Sequence, residues 1–370
     1  MPSIHVTRWI ENLSDSGHEL YWFDILDRGE IQVALPVNQI TGWKNRKLPN
    51  FKGENFLRKK IPAIYRRIQP LLETTVDEVL TKIIHEIQPN LVHSFEMQSC
   101  SYPILKTMQR FPELKWVYSC WGSDLFYYQN FKRHNLKIRE VLNRVDYLHT
   151  DCQRDFNIAK SLGFNGKHLD VIPGGTGYDL MALEKYRKPL QERKIILVKG
   201  YQHLFGRGLV TVEALKEIQS DLQQYEIVVF GAHPVVIDYI DKNKLPFKTY
   251  SRHGLQHDQL LEVMGKALVY IGNSISDGMP NTLLEAMVMG AFPIQSNPGG
   301  VTGEIINHGE NGLLISNPEN ADEIKDLMLQ ALRQQDWKNS LVINDQFAKR
   351  CLDYKDNQQK VIALYQNLDS

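Results

Sequence analysis

Cysteine is scarce in this 370-residue chain: Cys100, Cys120, Cys152 and Cys351 lie far apart and never form a CxxC pair. That excludes a disulfide framework, a zinc site and a dithiol redox centre. Long apolar runs are also missing, and without eighteen consecutive apolar residues no segment reads as a membrane span. The N-terminal MPSIHVTRW has neither the charged start nor the apolar stretch of a secretory signal, so the expected location is the cytoplasm. Net charge is absent as well. With 43 Lys and Arg against 43 Asp and Glu, the chain as a whole is not built to bind nucleic acid.

What remains is an ordinary globular composition. Hydrophobic residues at 42% and charged residues at 23% remove disordered, collagen-like and coiled-coil readings, and the length suits two domains of common size. Charge is unevenly spread. Between Lys44 and Arg67 there are nine Lys or Arg against the single acid Glu54, interleaved with Trp43, Phe51, Phe56, Leu57, Ile61, Ile64 and Tyr65. Residues 44–67 therefore read either as a peripheral contact with an anionic membrane or as a solvated segment whose charges confer solubility.

Short β-branched or aromatic runs alternate with helical stretches from end to end. ELYWFDIL (19–26), NLVHSF (90–95), KWVYSC (115–120) and LDVIP (169–173) form one series; KIILVKG (194–200), YEIVVFG (225–231), LVYIGNS (268–274) and AFPI (291–294) form another. Such alternation predicts α/β architecture with a helix-covered parallel sheet in each half. The boundaries expected are an N-terminal domain over 1–188, a C-terminal domain over 189–345 and closing helices over 346–370. At the front, helix-like VTRWIENLSDSG begins almost at once, where a domain of this type ordinarily opens with a strand and a glycine turn.

The segment NSISDGMPNTLLEAMVMGAFPI (273–294) carries the chemistry. Pro280 suits the first turn of a helix and Gly290 its stop, which predicts a short helix over 279–289. Its residues are apolar nearly all round, so Glu285 is a carboxylate in buried surroundings that needs hydrogen-bond partners. A pair of ligand hydroxyls would supply them; a backbone amide or an arginine would do so in a purely structural site. Asp277 is separated from the helix by Gly278 and Pro280 and falls in the loop ahead of its N-terminus, where free N–H groups favour a phosphate. One segment can thus hold a sugar at Asp277, a diphosphate at Gly278, Met279, Pro280 and Asn281, and a ribose diol at Glu285. Gly278 permits close backbone approach.

DGMPNTLLEAM followed by SNPGGVTGEIINHGENGLLI resembles the nucleotide-sugar signature of glycosyltransferase family 4, retaining enzymes of the GT-B fold, which has two Rossmann-like domains facing a cleft. That signature pairs two acids across seven positions, matched here by Asp277 and Glu285 with Asp in place of Glu. The resemblance implies that Glu285 binds the donor ribose and Asp277 touches the transferred sugar. VKGYQHLFGRGLVTVEAL resembles the family's phosphate-binding turn; it offers Lys199, Gly200 and Arg207, with Arg207 the favoured cation, although Tyr201 stands where the family has Arg. SCWGSDLFY resembles a cleft loop with Trp121 replacing the family's His and with Asp124 facing substrate, and PGGTG resembles an interdomain loop that places Gly175 near the diphosphate.

The resemblance implies transfer of a sugar from a nucleotide diphosphate sugar to the hydroxyl of a saccharide or lipid-linked saccharide acceptor, with retention, in surface polysaccharide or lipopolysaccharide assembly. No metal or other cofactor is expected, since no Asp-x-Asp occurs. Two alternatives stay open: a nucleotide-sugar 2-epimerase of the same architecture, and a non-catalytic sugar-nucleotide binder.

Overall fold

A computed structural model describes residues 4–333 and 337–368. In the N-terminal half, β1 (Tyr21–Phe23) and β2 (Asn38–Ile40) pair only with each other, in parallel. The main sheet there is β3 (Leu91–Phe95), β4 (Lys115–Ser119), β5 (Tyr147–Thr150) and β6 (Lys167–Val171), parallel and in chain order. The expected strand over 19–26 is therefore three residues long and stands outside the main sheet.

The second sheet is built from β7 (Ile195–Lys199), β8 (Glu226–Ala232), β9 (Lys248–Ser251), β10 (Ala267–Gly272), β11 (Phe292–Ser296) and β12 (Leu313–Ile315). Its order is β12-β11-β10-β7-β8-β9, all parallel. β7 shows why near-continuous apolar runs mark such strands: Ile196 and Val198 enter one core layer while Ile195 and Leu197 enter the layer on the opposite face. Strand order reverses between β7 and β10, which opens a crevice beyond their carboxyl ends, the usual ligand seat of a doubly wound sheet.

The halves are tied together at the crossing of two chain segments. Tyr178 N–H donates to the Leu352 carbonyl at 2.7 Å, and Tyr354 N–H donates to the Tyr178 carbonyl at 3.0 Å. Gly177, at φ 88°, makes that crossing possible, because a Cβ there would lie 2.8 Å from the Asp353 carbonyl oxygen. Of the closing helices, Trp337–Cys351 packs Ala348 against Leu284 and Val288 of the C-terminal half, whereas Tyr354–Gln366 crosses to pack Val361, Leu364 and Tyr365 on Trp9 and Leu13.

A directed hydrogen-bond chain seals this last contact. His149 Nε2 lies 3.1 Å from the Ile172 carbonyl, which can only accept, so His149 carries its proton there. Its Nδ1 then accepts from Ser119 Oγ at 2.9 Å, which accepts from His93 Nε2 at 2.7 Å. His93 Nδ1 accepts from the Tyr365 hydroxyl at 2.5 Å, which accepts from Trp9 Nε1 at 2.7 Å. The first helix, the last helix and three strands are fixed by one continuous polarity.

Candidate active site

The crevice between β7 and β10 collects most of the residues that the sequence singles out. Past β10, Asn273 Nδ2 donates to the Pro318 carbonyl at 2.8 Å and Ile275 N–H to the Phe205 carbonyl at 2.9 Å, which pin the loop that delivers Asp277. Lys199, last residue of β7, brings its Nζ to 4.0 Å from the Asp277 carboxylate. Burial works against the Lys199 charge, but Asp277 and neighbouring Tyr270 and Tyr201 outweigh it and hold the ammonium above its ordinary value. The result is a stable cation beside a half-exposed acid.

The helix that follows is Asn281–Val288; Pro280 is its N-cap, and its carbonyl accepts from Leu283 and Leu284, so the helix starts two residues later than expected. Leu283, Leu284, Ala286, Met287 and Val288 are all buried, and Glu285 among them is only 4% exposed. Its Oε1 accepts from His257 Nε2 at 3.0 Å and faces both terminal nitrogens of Arg8 at 3.5 Å. Both partners come from outside its own helix, and Arg8 comes from the other half of the molecule.

The N-terminal half closes on this segment at several points. Gly122 and Gly278 meet backbone to backbone: a Cβ on Gly122 would sit 2.2 Å from Gly278 Cα, and one on Gly278 would sit 2.5 Å from Asp151 Oδ2. Met279 N–H donates to Asp151 Oδ2 at 3.0 Å, and Arg154 donates to the carbonyls of Asp277 and Pro298, each at 2.7 Å. Glu304 in turn receives the amides of Gln153 and Arg154 at 2.8 Å, capping the helix Gln153–Ser161 from across the cleft. Asn281 Nδ2 donates to His5 Nδ1 at 2.8 Å, and Gly175 lies so near that a Cβ would meet Asn281 Oδ1 at 2.7 Å.

Asp277, Lys199, Glu285, Gly278, Met279, Pro280, Asn281 and Gly175 are thus brought together. Gly200 borders them for a packing reason: its Cβ position is filled by Val229 and Ala232 of β8. Two expected residues have side chains held by other groups: Arg207, whose N–H donates to the Asn273 carbonyl at 2.9 Å at the edge of the crevice, and Asp124. Arg207, the favoured cation, pairs with Glu319 and donates to the carbonyls of His203 and Gly206, its fork engaged by its own turn. Asp124 is sealed in the N-terminal half at 3% exposure. It accepts from Met97 N–H, Trp121 N–H, the Tyr118 hydroxyl and the Cys120 thiol. Burial, with Glu96 nearby, pushes its carboxyl up to about 7. It fastens the turn after β4 and does not face the crevice.

His5, Arg8, Asp151, Arg154 and His257 escaped sequence reasoning. VTRW reads as a helix turn, and nothing local says that His5 and Arg8 share one of its faces with a partner about 280 positions away. For cation binding, Asp151, Cys152 and Asp155 place their ligand atoms within 4.8 Å of one another. Burial pushes both Asp151 and Cys152 up towards their neutral forms, and Asp155 is paired with Arg154 at 2.8 Å, so this group suits an internal hydrogen-bond cluster better than a metal.

Residues 184–347 match the family described as glycosyl transferases group 1. Among solved structures, sucrose-phosphate synthase from Thermosynechococcus elongatus superposes with a TM-score of 0.71 at 16% identity, over 99% of this chain and 92% of that one. A glycosyltransferase from Rickettsia africae ESF-5 gives 0.62 at 14% identity over 98% and 93% of the two chains. HepE from Anabaena, in complex with UDP, gives 0.61 at 14% identity over 79% and 82%. No curated protein sequence matches this chain. Identities this low establish the shared fold alone: the chain has the GT-B fold, and its stretch that resembles the glycosyl transferases of group 1 is the one that holds Lys199, Asp277 and Glu285.

Proposed function

We propose that this protein is a retaining, metal-independent glycosyltransferase that moves a sugar from a nucleotide diphosphate sugar to an acceptor hydroxyl. The observation that carries the reading is the convergence of Lys199, Asp277 and buried Glu285 at the strand-order reversal of the C-terminal sheet. In this assignment Glu285 accepts the ribose hydroxyls, exchanging the donors it now has for ligand O–H groups. Lys199 neutralises charge on the departing diphosphate, the largest electrostatic demand of the reaction. Asp277 orients the transferred sugar, and the departing phosphate assists deprotonation of the acceptor on the same face. Positioning and charge neutralisation then supply most of the rate.

The proposed acceptor is a saccharide or lipid-linked saccharide of surface polysaccharide or lipopolysaccharide assembly, met at the inner face of the plasma membrane. Residues 44–67 support it. The helices Glu54–Lys60 and Pro62–Leu72 leave Phe56 at 61% and Ile64 at 48% exposure beside Arg58, Lys59 and Lys60. A bidentate Arg46–Glu54 pair, reinforced by Tyr65, braces the first helix from below. No helix among the described residues is long and apolar enough to cross a membrane. Salt-sensitive sedimentation with anionic vesicles is expected, and a protein that stays in the supernatant at low salt rules this contact out.

The test of the reaction is a thermal-shift screen against UDP, GDP, ADP, TDP and CMP, repeated on Glu285→Ala. A ligand of the native state raises the midpoint with its occupancy, so one nucleotide should shift the wild type and not the variant. HepE, bound to UDP in its crystal structure, makes UDP the first to try. Turnover of the matching donor sugar follows: epimerisation without acceptor would favour a 2-epimerase, and binding without transfer a sugar-nucleotide binder.

A further inference from the structure

The N-terminal helix Ile4–Glu11 runs alongside Asn281–Val288 in parallel register, with His5 opposite Asn281 and Arg8 opposite Glu285. The two rungs differ in quality. His5 is set firmly, its Nδ1 accepting from Asn281 at 2.8 Å. Burial, then the charge of Arg8, holds its imidazole below the ordinary value against the pull of Asp277 and Glu285. Arg8 is set loosely: both terminal nitrogens point at one carboxylate oxygen from 3.5 Å, and His257 already donates to that oxygen at 3.0 Å. A guanidinium seated on a carboxylate uses two parallel bonds near 2.8 Å, so Glu285 does not fill this fork, which also meets the Tyr178 hydroxyl. Arg8 also borders a cavity of about 220 Å³ lined in part by Gly175, Thr176 and Tyr178.

Charge in the crevice points the same way. A donor diphosphate carries about two negative charges, and oxyanions of this kind are best met by preorganised cations. Lys199 is one, already facing Asp277, while Arg207 is engaged with Glu319 and its own turn. We propose that Arg8 is a donor-binding residue, the cation that the N-terminal half contributes to the diphosphate of the nucleotide sugar. Before ligand arrives it rests against Glu285; when the ribose hydroxyls take that carboxylate, the guanidinium turns its fork to the phosphate oxygens. The inference rests on the donor-site reading of Glu285. Donor binding then draws on both domains, because the two halves of the site belong to different domains.

Isothermal titration with UDP and with uridine, on the wild type, Arg8→Ala and Arg8→Lys, separates the possibilities. A lost charge-assisted contact is expected to weaken UDP binding about 10- to 100-fold in Arg8→Ala while uridine binding changes less than about threefold, with Arg8→Lys in between. If Arg8 merely latches Glu285, Arg8→Ala will bind UDP and uridine equally well or both more tightly, and the proposal is overturned. Wild-type protein that binds neither UDP nor another nucleoside diphosphate would overturn the donor-site reading itself, a result distinct from a selective effect at Arg8.

Discussion

The two parallel sheets of this protein are made alike and differ in order. β3 to β6 lie in chain order with no reversal, whereas the C-terminal sheet reverses between β7 and β10. Only a reversal sends consecutive crossovers to opposite faces and leaves a gap beyond the strand ends. The acids after the strands follow suit. Asp124, after β4, is closed over by four donors from its own domain; Asp277, after β10, keeps 34% of its side-chain surface exposed. The C-terminal domain therefore holds the crevice, and the N-terminal domain contributes to it from outside, with a helix and the glycine turn at Gly122.

The largest effect that can break this comparison comes from exchanging the roles of its acids. Glu285→Ala is expected to reduce nucleotide affinity at least about 100-fold with little change in the unfolding midpoint in urea. Asp124→Ala should do the reverse, costing about 3 kcal/mol or more, because it strands several buried donors at about 1–3 kcal/mol each. Equal stability losses in the two variants would show that Glu285 is structural as well.

Gly122→Ala tests how tightly the domains meet. The added methyl collides with Gly278 backbone and is strained at φ 83°, so the domains should be held apart. A larger radius of gyration in solution scattering and a weaker response to nucleotide are expected, with each domain still folded. An unchanged radius would mean that the contact can be relieved locally.

The remaining effect is a pH dependence. Asp124 titrates near 7 in the fold, above its ordinary 3.8, so its contribution to stability is fully present below pH 3.8 and lost as pH rises through about 7. Asp124→Asn lacks this contribution. The stability difference between wild type and variant should therefore grow as pH falls from 7 towards 4, by about 1.4 kcal/mol per pH unit for one proton. His149 acts oppositely: burial lowers it to about 3, so its contribution holds above pH 6.5 and is lost on acidification. Urea titrations at pH 7 and pH 5 measure both slopes, and a pH-independent difference would remove the sealed-carboxyl account of Asp124.

Periodic apolar runs made most of the fold legible, because a doubly covered parallel strand must be apolar on both faces. KIILVKG and YEIVVFG correspond to β7 and β8, NLVHSF and KWVYSC to β3 and β4. The strands that went unread fail that rule. β5 is YLHT, whose His149 is buried within the hydrogen-bond chain to Ile172, and β2, β9 and β12 are three or four residues long. Arg207 and Asp124 illustrate the other limit. Both sit in turns that resemble site loops, yet the direction of a side chain depends on carbonyls and donors contributed by other segments.

By itself the sequence determined what is local: two α/β halves, a glycine–proline break that separates Asp277 from its helix, and a carboxylate at Glu285 too buried to lack partners. Tertiary structure alone decided which partners those are. Arg8 and His257 meet Glu285 from 277 and 28 residues away, Asp151 receives the Met279 amide across the cleft, and Lys199 gains its partner by strand order. Spacing along a chain constrains contacts within a helical turn or a strand, whereas contacts between domains are set by packing, which no single segment encodes.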